Sequence, residues 1–366
     1  MSGDAREARL GKLRSAMAAA HLDALLMTSL PNVRYLSGFS GSAALLLVTA
    51  SRAALLTDFR YAIQAEEEVG GAAQVIIEAT SLWTRFLTVL PQLGGLESIG
   101  FESAHITHAD VQRLIESGPR WQWRPAVNLV ENLREQKDAG ELTAIREAVR
   151  IAEAALSRTV AAVRPGMTEL DISGSLEGHL RWAGSEAHPF EAIVASGPRA
   201  ALPHARSTLR AVAAGEWLLI DFGASYHGYR SDITRTFVVG RASDEQRVIH
   251  SVVRESNAAA SGNVRAGMRG KDADALARKV PARYVVEVVE CRSQIGSGAL
   301  PVDLLPSVGV RVASTSAPRD KVPMAISIVQ SAQLMSAAVG PAAGGYVASH
   351  FGIRAAKVLS VRQANE

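Results

Sequence analysis

Two aspartates flank a single predicted turn in the middle of the chain. Two strand-like runs, 217–222 and 233–239, enclose a polar, glycine-containing segment at 225–228. Such a pattern predicts a β-hairpin. Asp221 and Asp232 lie at equal distances from the midpoint between Tyr226 and His227. In a simple antiparallel register they face each other, with their side chains on one face of the hairpin about 5 Å apart.

Two carboxylates this close destabilise a hairpin unless a cation lies between them. Oxygen ligands at this spacing suit a hard divalent cation, or a pair of such cations. The alternative is that Asp221 and Asp232 lie in turns or pair with Arg230 and Arg235. The spacing of the residues leaves both interpretations open.

Composition excludes several classes of protein. The chain has 366 residues, 48% of them hydrophobic and 20% charged, which is typical of a globular protein with room for two domains. The formal charge is only +3 and no basic stripe with interleaved aromatic residues is present, so we expect no nucleic-acid partner. Cys291 is the only cysteine, and residues 1–20 lack an apolar signal segment. We therefore expect a cytoplasmic location.

The first part of the chain alternates between helix and strand patterns. An amphipathic helix is predicted at 5–22, and polar residues at 131–140 predict a boundary. Strands are predicted at 24–27, 43–48, 53–56, 74–77 and 98–101, with helical stretches near 61–68 and at 109–116. This alternation predicts an α/β domain over residues 1–133.

The second predicted domain, residues 138–280, contains an internal repeat. A long amphipathic helix at 142–160 precedes Thr168 and Asp171, which resemble a capping box. The segment VRPGMT at 163–168 is echoed by VRAGMR at 264–269, and each lies between two predicted helices. The repeat predicts two similar halves related by a pseudo-two-fold axis, and the pattern of the second half stops after Val280.

Six motifs together resemble the Xaa-Pro aminopeptidase/prolidase family of pita-bread-fold metallopeptidases. They are PNVRYLSGFSG at 31–41, TDFRY at 57–61, FEAIVASG at 190–197, PH at 203–204, DFG at 221–223 and YRSDITRT at 229–236. The spacings from His204 to Asp221 (17 residues) and from Asp221 to Asp232 (11 residues) also match the family pattern. The resemblance implies an α/β fold, with a creatinase-like N-terminal domain followed by an incomplete pita-bread (α+β) catalytic domain.

The same resemblance implies a role for each of the three residues. Asp221 would chelate one divalent ion, Mn²⁺ or Co²⁺, and Asp232 would bridge two ions. His204 would lie beside the substrate as a hydrogen-bonding or proton-handling group. The implied reaction is hydrolysis of an Xaa-Pro bond, in a proline-containing peptide or dipeptide, by a homodimeric enzyme.

Residues 281–366 depart from the family pattern. A complete enzyme of this family also needs a histidine in an H-G-x-G-H segment and two later glutamates, together with a further histidine that assists catalysis, and no H-G-x-G-H segment follows Val280. Glu287 and Glu290 lie at odd spacing, so on a strand they would point to opposite faces. We therefore expect weak or absent peptidase activity. The alternative is a non-catalytic binding or dimerisation module.

The tail has resemblances of its own. Residues 290–302 are similar to a stretch of bacterial selenocysteine synthase, and 321–357 to one membrane segment and loop of a major facilitator transporter. Three unrelated resemblances in succession predict a truncated peptidase joined to unrelated sequence. No charged residue occurs from 322 to 353, a run long enough to cross a bilayer of about 30 Å. Because the run also contains Ser, Gln and Pro, a membrane-type helix at 320–357 is possible but not favoured over a Gly/Ala-rich helix.

Overall fold

The computed structural model describes residues 3–280. The chain divides into two compact units between Gln136 and Lys137. This division lies within a few residues of the predicted boundary between 133 and 138. Each unit has its own sheet and its own core.

The first unit alternates between helices and strands, as its hydrophobic pattern predicts. Its helices are α1 Gly3–Ala19, α2 Leu30–Ser37, α3 Ala62–Val69, α4 Leu82–Val89, α5 His108–Ser117 and α6 Leu129–Glu135. Its strands are β1 Ala24–Met27, β2 Ala44–Thr49, β3 Ala53–Asp58, β4 Gln74–Glu78, β5 Ser98–Glu102 and β6 Gln122–Ala126.

The six strands form one mixed sheet in the order β4-β3-β2-β1-β5-β6. Alternate residues of β1 enter different cores, with Leu25 and Met27 in one and Ala24 and Leu26 in the other. The sheet is therefore covered on both faces. The sequence pattern misses β6, which contains Pro125 and lies at the edge of the sheet, where a residue without an N–H is tolerated.

The polar segment 131–140, predicted as a boundary, also contains most of a short helix that the sequence pattern does not predict. Residues Leu129–Glu135 form α6, and the next helix begins at Ala139. Val130 is buried in the core of the first unit, and Leu129 and Leu133 pack against that core. The charged residues between these positions conceal a short apolar stripe of helical period.

The second unit places two long helices before its first strand. The elements are α7 Ala139–Ala162, α8 Glu169–Trp182, β7 Ile193–Ser196, β8 Trp217–Phe222, β9 Ser225–Tyr226, β10 Tyr229–Arg230, β11 Ile233–Val238, α9 Asp244–Asn263 and α10 Gly270–Arg278. Strands β11, β8 and β7 form an antiparallel sheet in that order, and β9 pairs with β10 in a short ribbon.

The predicted internal repeat is a structural repeat. Gly166 and Gly267 take left-handed conformations, with φ of +92° and +98°. The N–H groups of Met167 and Met268 each donate a hydrogen bond of 3.2 Å to the carbonyl three residues earlier. Helix α8 begins with the predicted capping box of Thr168, whereas at the equivalent position of α10 the described residues supply no side-chain cap. The two helix-turn-helix segments therefore share a backbone but not all of their side-chain contacts.

The predictions for residues 281–366, including the possible membrane-type helix at 320–357, lie outside the described residues. Within 3–280, no helix is both long enough and apolar enough to cross a membrane.

Candidate metal centre

Strand β8 carries Asp221 on the face of the sheet that points away from helices α7 and α8. Leu218, Ile220 and Phe222 alternate into the core shared with those helices, which is the period expected for a strand with one buried face. Asp221 is one residue out of phase and therefore lies on the opposite face. Because β8 is the central strand, Asp221 is flanked by a residue of β7 on one side and of β11 on the other.

The hairpin register differs from the predicted one by two residues. Asp221 pairs with Thr234, and not with Asp232. The turn is centred on His227 and Gly228, which both have positive φ, of 48° and 77°. A two-residue turn with positive φ at both central positions matches the twist of the flanking strands, and glycine favours the second of these positions. The predicted direct pairing of the two aspartates is wrong, because the midpoint of the turn was placed one residue too early.

A shift of two residues keeps side chains on the same face, so the two aspartates remain diagonal neighbours. Asp232 immediately precedes β11. The neighbouring Ser231 donates its N–H to the Ala224 carbonyl at 2.9 Å, which continues the register past the end of β8. Gly223, in the gap between the two strand pairs, has no space for a side chain. A Cβ added there would lie 2.0 Å from the Ser231 carbonyl oxygen.

The surroundings of Asp221 disfavour an uncompensated negative charge. Its Oδ1 atom is buried and has no hydrogen-bond partner among the described residues. Burial and, next, the charge of Asp232 raise the pKa of Asp221 to about 6, against the opposing effects of a hydrogen bond from Thr234 and of the charge of His204. Asp232 is exposed, yet protein atoms around its carboxylate still desolvate it enough to raise its pKa. A cation would relieve both effects.

His204 lies in an exposed turn of the loop that connects β7 to β8. The loop returns along the outer edge of β7, where the Val194 N–H donates to Ser207 Oγ at 3.3 Å. This path brings His204 close enough to Asp221 for its charge to lower the pKa of that carboxyl group. The fold thus places Asp232 and His204 within electrostatic range of Asp221.

Neither arginine of the alternative interpretation neutralises the aspartates. Arg230 donates to the Pro189 carbonyl at 3.5 Å. Arg235 lies on the opposite face of β11, where its guanidinium is 3.8 Å from Glu153 of α7. The interpretation of the aspartates as partners of these arginines is wrong for the described residues.

The tip of the hairpin is held by residues that the sequence gave no reason to select. The Glu186 carboxylate accepts hydrogen bonds from the N–H groups of His227 (2.7 Å) and Gly228 (3.1 Å). Tyr229 donates its hydroxyl to buried Glu141 of α7 at 2.9 Å. The tip of the hairpin is therefore tied to both Glu186 and Glu141.

The described residues 3–280 contain no group of three or more histidine, cysteine, aspartate or glutamate side chains that could hold a metal ion. In this part of the chain Asp221 and Asp232 are two neighbouring carboxylates, and no third such side chain completes a metal-binding group. Glu287 and Glu290, considered above as possible further ligands, lie outside the described residues.

Comparison with known proteins identifies the origin of this arrangement. Residues 9–136 match the creatinase/prolidase N-terminal domain, and residues 143–317 match metallopeptidase family M24. An uncharacterised peptidase of Bacillus subtilis, YqhT, is 36% identical over 74% of this chain and 76% of its own length. The chain belongs to the M24 metallopeptidase family. The predicted hydrolase class is therefore confirmed at the level of the family.

Other M24 proteins of similar sequence have names and solved structures. The Xaa-Pro dipeptidase of Pyrococcus horikoshii is 29% identical over 72% of this chain and 73% of its own length. The structure of an Xaa-Pro dipeptidase from Bacillus anthracis, 34% identical, superposes with a TM-score of 0.72 over 76% of this chain and 78% of that one. The M24 chain therefore has the predicted creatinase-like N-terminal domain followed by a pita-bread domain.

Proposed function

We propose that Asp221 and Asp232 bind a divalent cation, Mn²⁺ or Co²⁺, in a site descended from an Xaa-Pro peptidase. The observation that carries this proposal is the buried Oδ1 of Asp221, which has no partner among residues 3–280 and lies next to a second carboxylate. Carboxylate oxygens are ligands that hard divalent cations prefer. Bound there, the cation would polarise a carbonyl group and lower the pKa of a bound water molecule.

The proposed substrate is a peptide or dipeptide with an Xaa-Pro bond, as the names of the relatives indicate. Asp221 lies near the end of a central strand, and Asp232 immediately precedes an edge strand. His204 is exposed beside them and offers a ring nitrogen to the substrate as a hydrogen-bonding or proton-transferring group.

We further propose that peptidase activity is weak or absent. Two carboxylates leave most of the coordination shell of a divalent ion to water, which does not support a tight dinuclear centre. The absence of a third ligand within residues 3–280 also favours a second candidate function, a non-catalytic binding or dimerisation module. The stoichiometry of bound metal tests the proposed half site, for which we expect fewer than two ions per chain. Homodimer formation and a cytoplasmic location remain predictions.

Metal affinity should depend on pH in a direction set by Asp221. Because the pKa of this carboxyl group is raised to about 6, the cation must displace a proton below that pH. We expect the apparent affinity for Mn²⁺ to fall about tenfold for each pH unit below the pKa and to level off above it. Calorimetric titrations from about pH 5 to pH 8 measure this slope. An affinity that does not change between pH 5 and pH 6 would contradict the assignment of Asp221.

The proposal of weak activity is tested by release of proline from an Xaa-Pro dipeptide in the presence of added Mn²⁺. We expect little or no turnover by the intact chain. Robust turnover that Asp232→Asn abolishes would overturn this expectation. Asp171→Asn is the matched control, because Asp171 is an exposed aspartate that caps α8 and takes no part in the proposed site.

A further inference from the structure

Glu169, the first residue of α8, has a fully buried carboxylate that binds the loop carrying His204. Its Oε1 accepts hydrogen bonds from the backbone N–H (2.8 Å) and the hydroxyl (3.0 Å) of Ser196. Its Oε2 accepts from the N–H (3.1 Å) and the hydroxyl (2.7 Å) of Thr208. Ser196 ends strand β7 and Thr208 follows His204, so one carboxylate joins both ends of the loop.

Arg199 completes this arrangement from within the loop. Its Nε lies 3.3 and 3.2 Å from the two oxygens of Glu169, and its terminal nitrogen donates to the Arg206 carbonyl at 2.5 Å. Burial alone would raise the pKa of Glu169, but the hydrogen bonds from Thr208 and Ser196 and the charge of Arg199 outweigh burial and lower it. Glu169 is therefore ionised at neutral pH, which strengthens each hydrogen bond that it accepts.

A second ion pair closes the base of the same loop. Arg210 donates to both carboxylate oxygens of Glu216 and, at 2.6 Å, to the Ser196 hydroxyl. Gly197 follows with a positive φ of 52°, and a Cβ there would lie 2.7 Å from Glu216. The loop is thus fixed at its base, while His204 in its middle is exposed.

Comparison of the two halves of the internal repeat indicates whether the helix requires a glutamate at the position of Glu169. Asp171 and Asp272 occupy equivalent positions in the two halves, and the residue equivalent to Glu169 is Gly270. The side-chain cap of α8 is supplied by Thr168 and Asp171 without Glu169. The turn and the following helix therefore form without a glutamate at this position. The side-chain contacts of Glu169 described above are all with the loop.

We infer that Glu169 is a positioning residue that holds the loop of residues 197–208 so that His204 stays beside Asp221. This inference rests on the proposed function of the site, because it assigns to Glu169 the placement of a group that faces the bound cation. Glu169 itself does not contact the proposed site. It acts through the two ends of the loop.

The test compares Glu169→Gln with Asp171→Asn in the full chain. Glutamine has the same shape as glutamate but carries no charge. Its amide NH2 group would direct two hydrogens toward groups that donate hydrogen bonds to Glu169 in the unchanged protein. The control removes a carboxylate from the same turn of α8 without touching the loop. Circular dichroism establishes whether each variant is folded. If Glu169→Gln does not fold, Thr208→Val replaces it in the comparison.

Two measurements report on the loop. The first is the broadening by bound Mn²⁺ of the His204 ring-proton signal, identified by its loss in His204→Asn. We expect strong broadening in the unchanged chain and in Asp171→Asn, and much weaker broadening in Glu169→Gln. The second is trypsin cleavage after Arg206, which should be about tenfold faster in Glu169→Gln, because charged hydrogen bonds that close the loop are lost.

The possible failures are distinguishable. If Mn²⁺ broadens no histidine signal in the unchanged chain, the proposed metal site is wrong, and trypsin cleavage still reports on the loop. If Mn²⁺ binds, and Glu169→Gln matches Asp171→Asn in both broadening and cleavage, the positioning role of Glu169 is wrong. A loss of broadening together with faster cleavage, confined to Glu169→Gln, supports it.

Discussion

Replacing Asp221 with Asn should nearly abolish Mn²⁺ binding and at the same time stabilise the metal-free protein. Loss of groups outside the coordination shell alone reduces metal affinity about 10- to 100-fold, so loss of a ligand should cost on the order of 100-fold or more. The gain in stability follows from the raised pKa of Asp221. At neutral pH the folded protein carries an ionised, partly buried carboxylate, and one of its oxygens has no partner in the described part of the chain.

The size of the stabilisation follows from the same pKa. A rise from 3.8 to about 6 corresponds to about 3 kcal/mol at full burial. The side chain is only partly buried, so solvent screening reduces our expectation to about 1–2 kcal/mol. The difference is fully present above pH 6 and disappears as the pH falls toward 4, because the folded protein protonates Asp221 before the unfolded chain does.

Urea unfolding of the metal-free proteins at pH 7.5 and pH 4 measures this effect, and calorimetry measures Mn²⁺ affinity. Asp171→Asn is the control. Removing this capping carboxylate of α8 should lower the stability of the protein and leave its metal affinity unchanged. If Asp221→Asn is less stable than the unchanged protein at pH 7.5, the carboxylate has a partner that compensates its charge, and our description of the site is wrong.

The second large effect is expected at Gly223, between the two aspartates. A methyl group here would lie 2.0 Å from the Ser231 carbonyl oxygen and 2.7 Å from Pro189. The first of these neighbours is backbone, so the hairpin must open to accept the methyl group. We expect Gly223→Ala to lower the free energy of unfolding by about 2–4 kcal/mol. Because the two strands separate at this point, Mn²⁺ affinity should fall as well.

Gly174 provides a matched control for the same substitution. It lies inside α8, where an added Cβ meets no atom of residues 3–280 within 4 Å. Gly174→Ala should raise the free energy of unfolding by about 0.5–1 kcal/mol, because alanine favours a helix over glycine. Denaturant titrations of both variants measure these changes in the free energy of unfolding. Equal changes at the two glycines would refute the close approach of the hairpin strands.

Local patterns in the sequence were sufficient where a structure depends on neighbouring residues. Thr168 and Asp171 form the predicted capping box, because a helix N-terminus is completed within four residues. The repeated VRPGMT and VRAGMR segments form similar turns, because each places a glycine where φ must be positive. The same approach missed helix α6, because its charged residues conceal the apolar positions that dock it.

Side-chain contacts between distant segments could not be predicted from the sequence. A glutamate in the first turn of a helix is common, because it favours the positive end of the helix dipole. Nothing about Glu169 therefore indicated that its carboxylate binds Ser196 and Thr208, which follow it by 27 and 39 residues in the sequence. Glu186 is a similar case, since its contact with the hairpin tip spans 41 residues.

The sequence by itself determined the family, the hairpin and the identity of its two aspartates, since these depend on motifs and on a period of two residues. Only the tertiary structure decided how the aspartates lie relative to each other. A turn centred on His227 and Gly228 pairs Asp221 with Thr234 and leaves Asp232 diagonal to it. Burial then leaves Asp221 Oδ1 without a partner among the residues that the structure describes, because packing around a carboxylate depends on segments far apart in sequence.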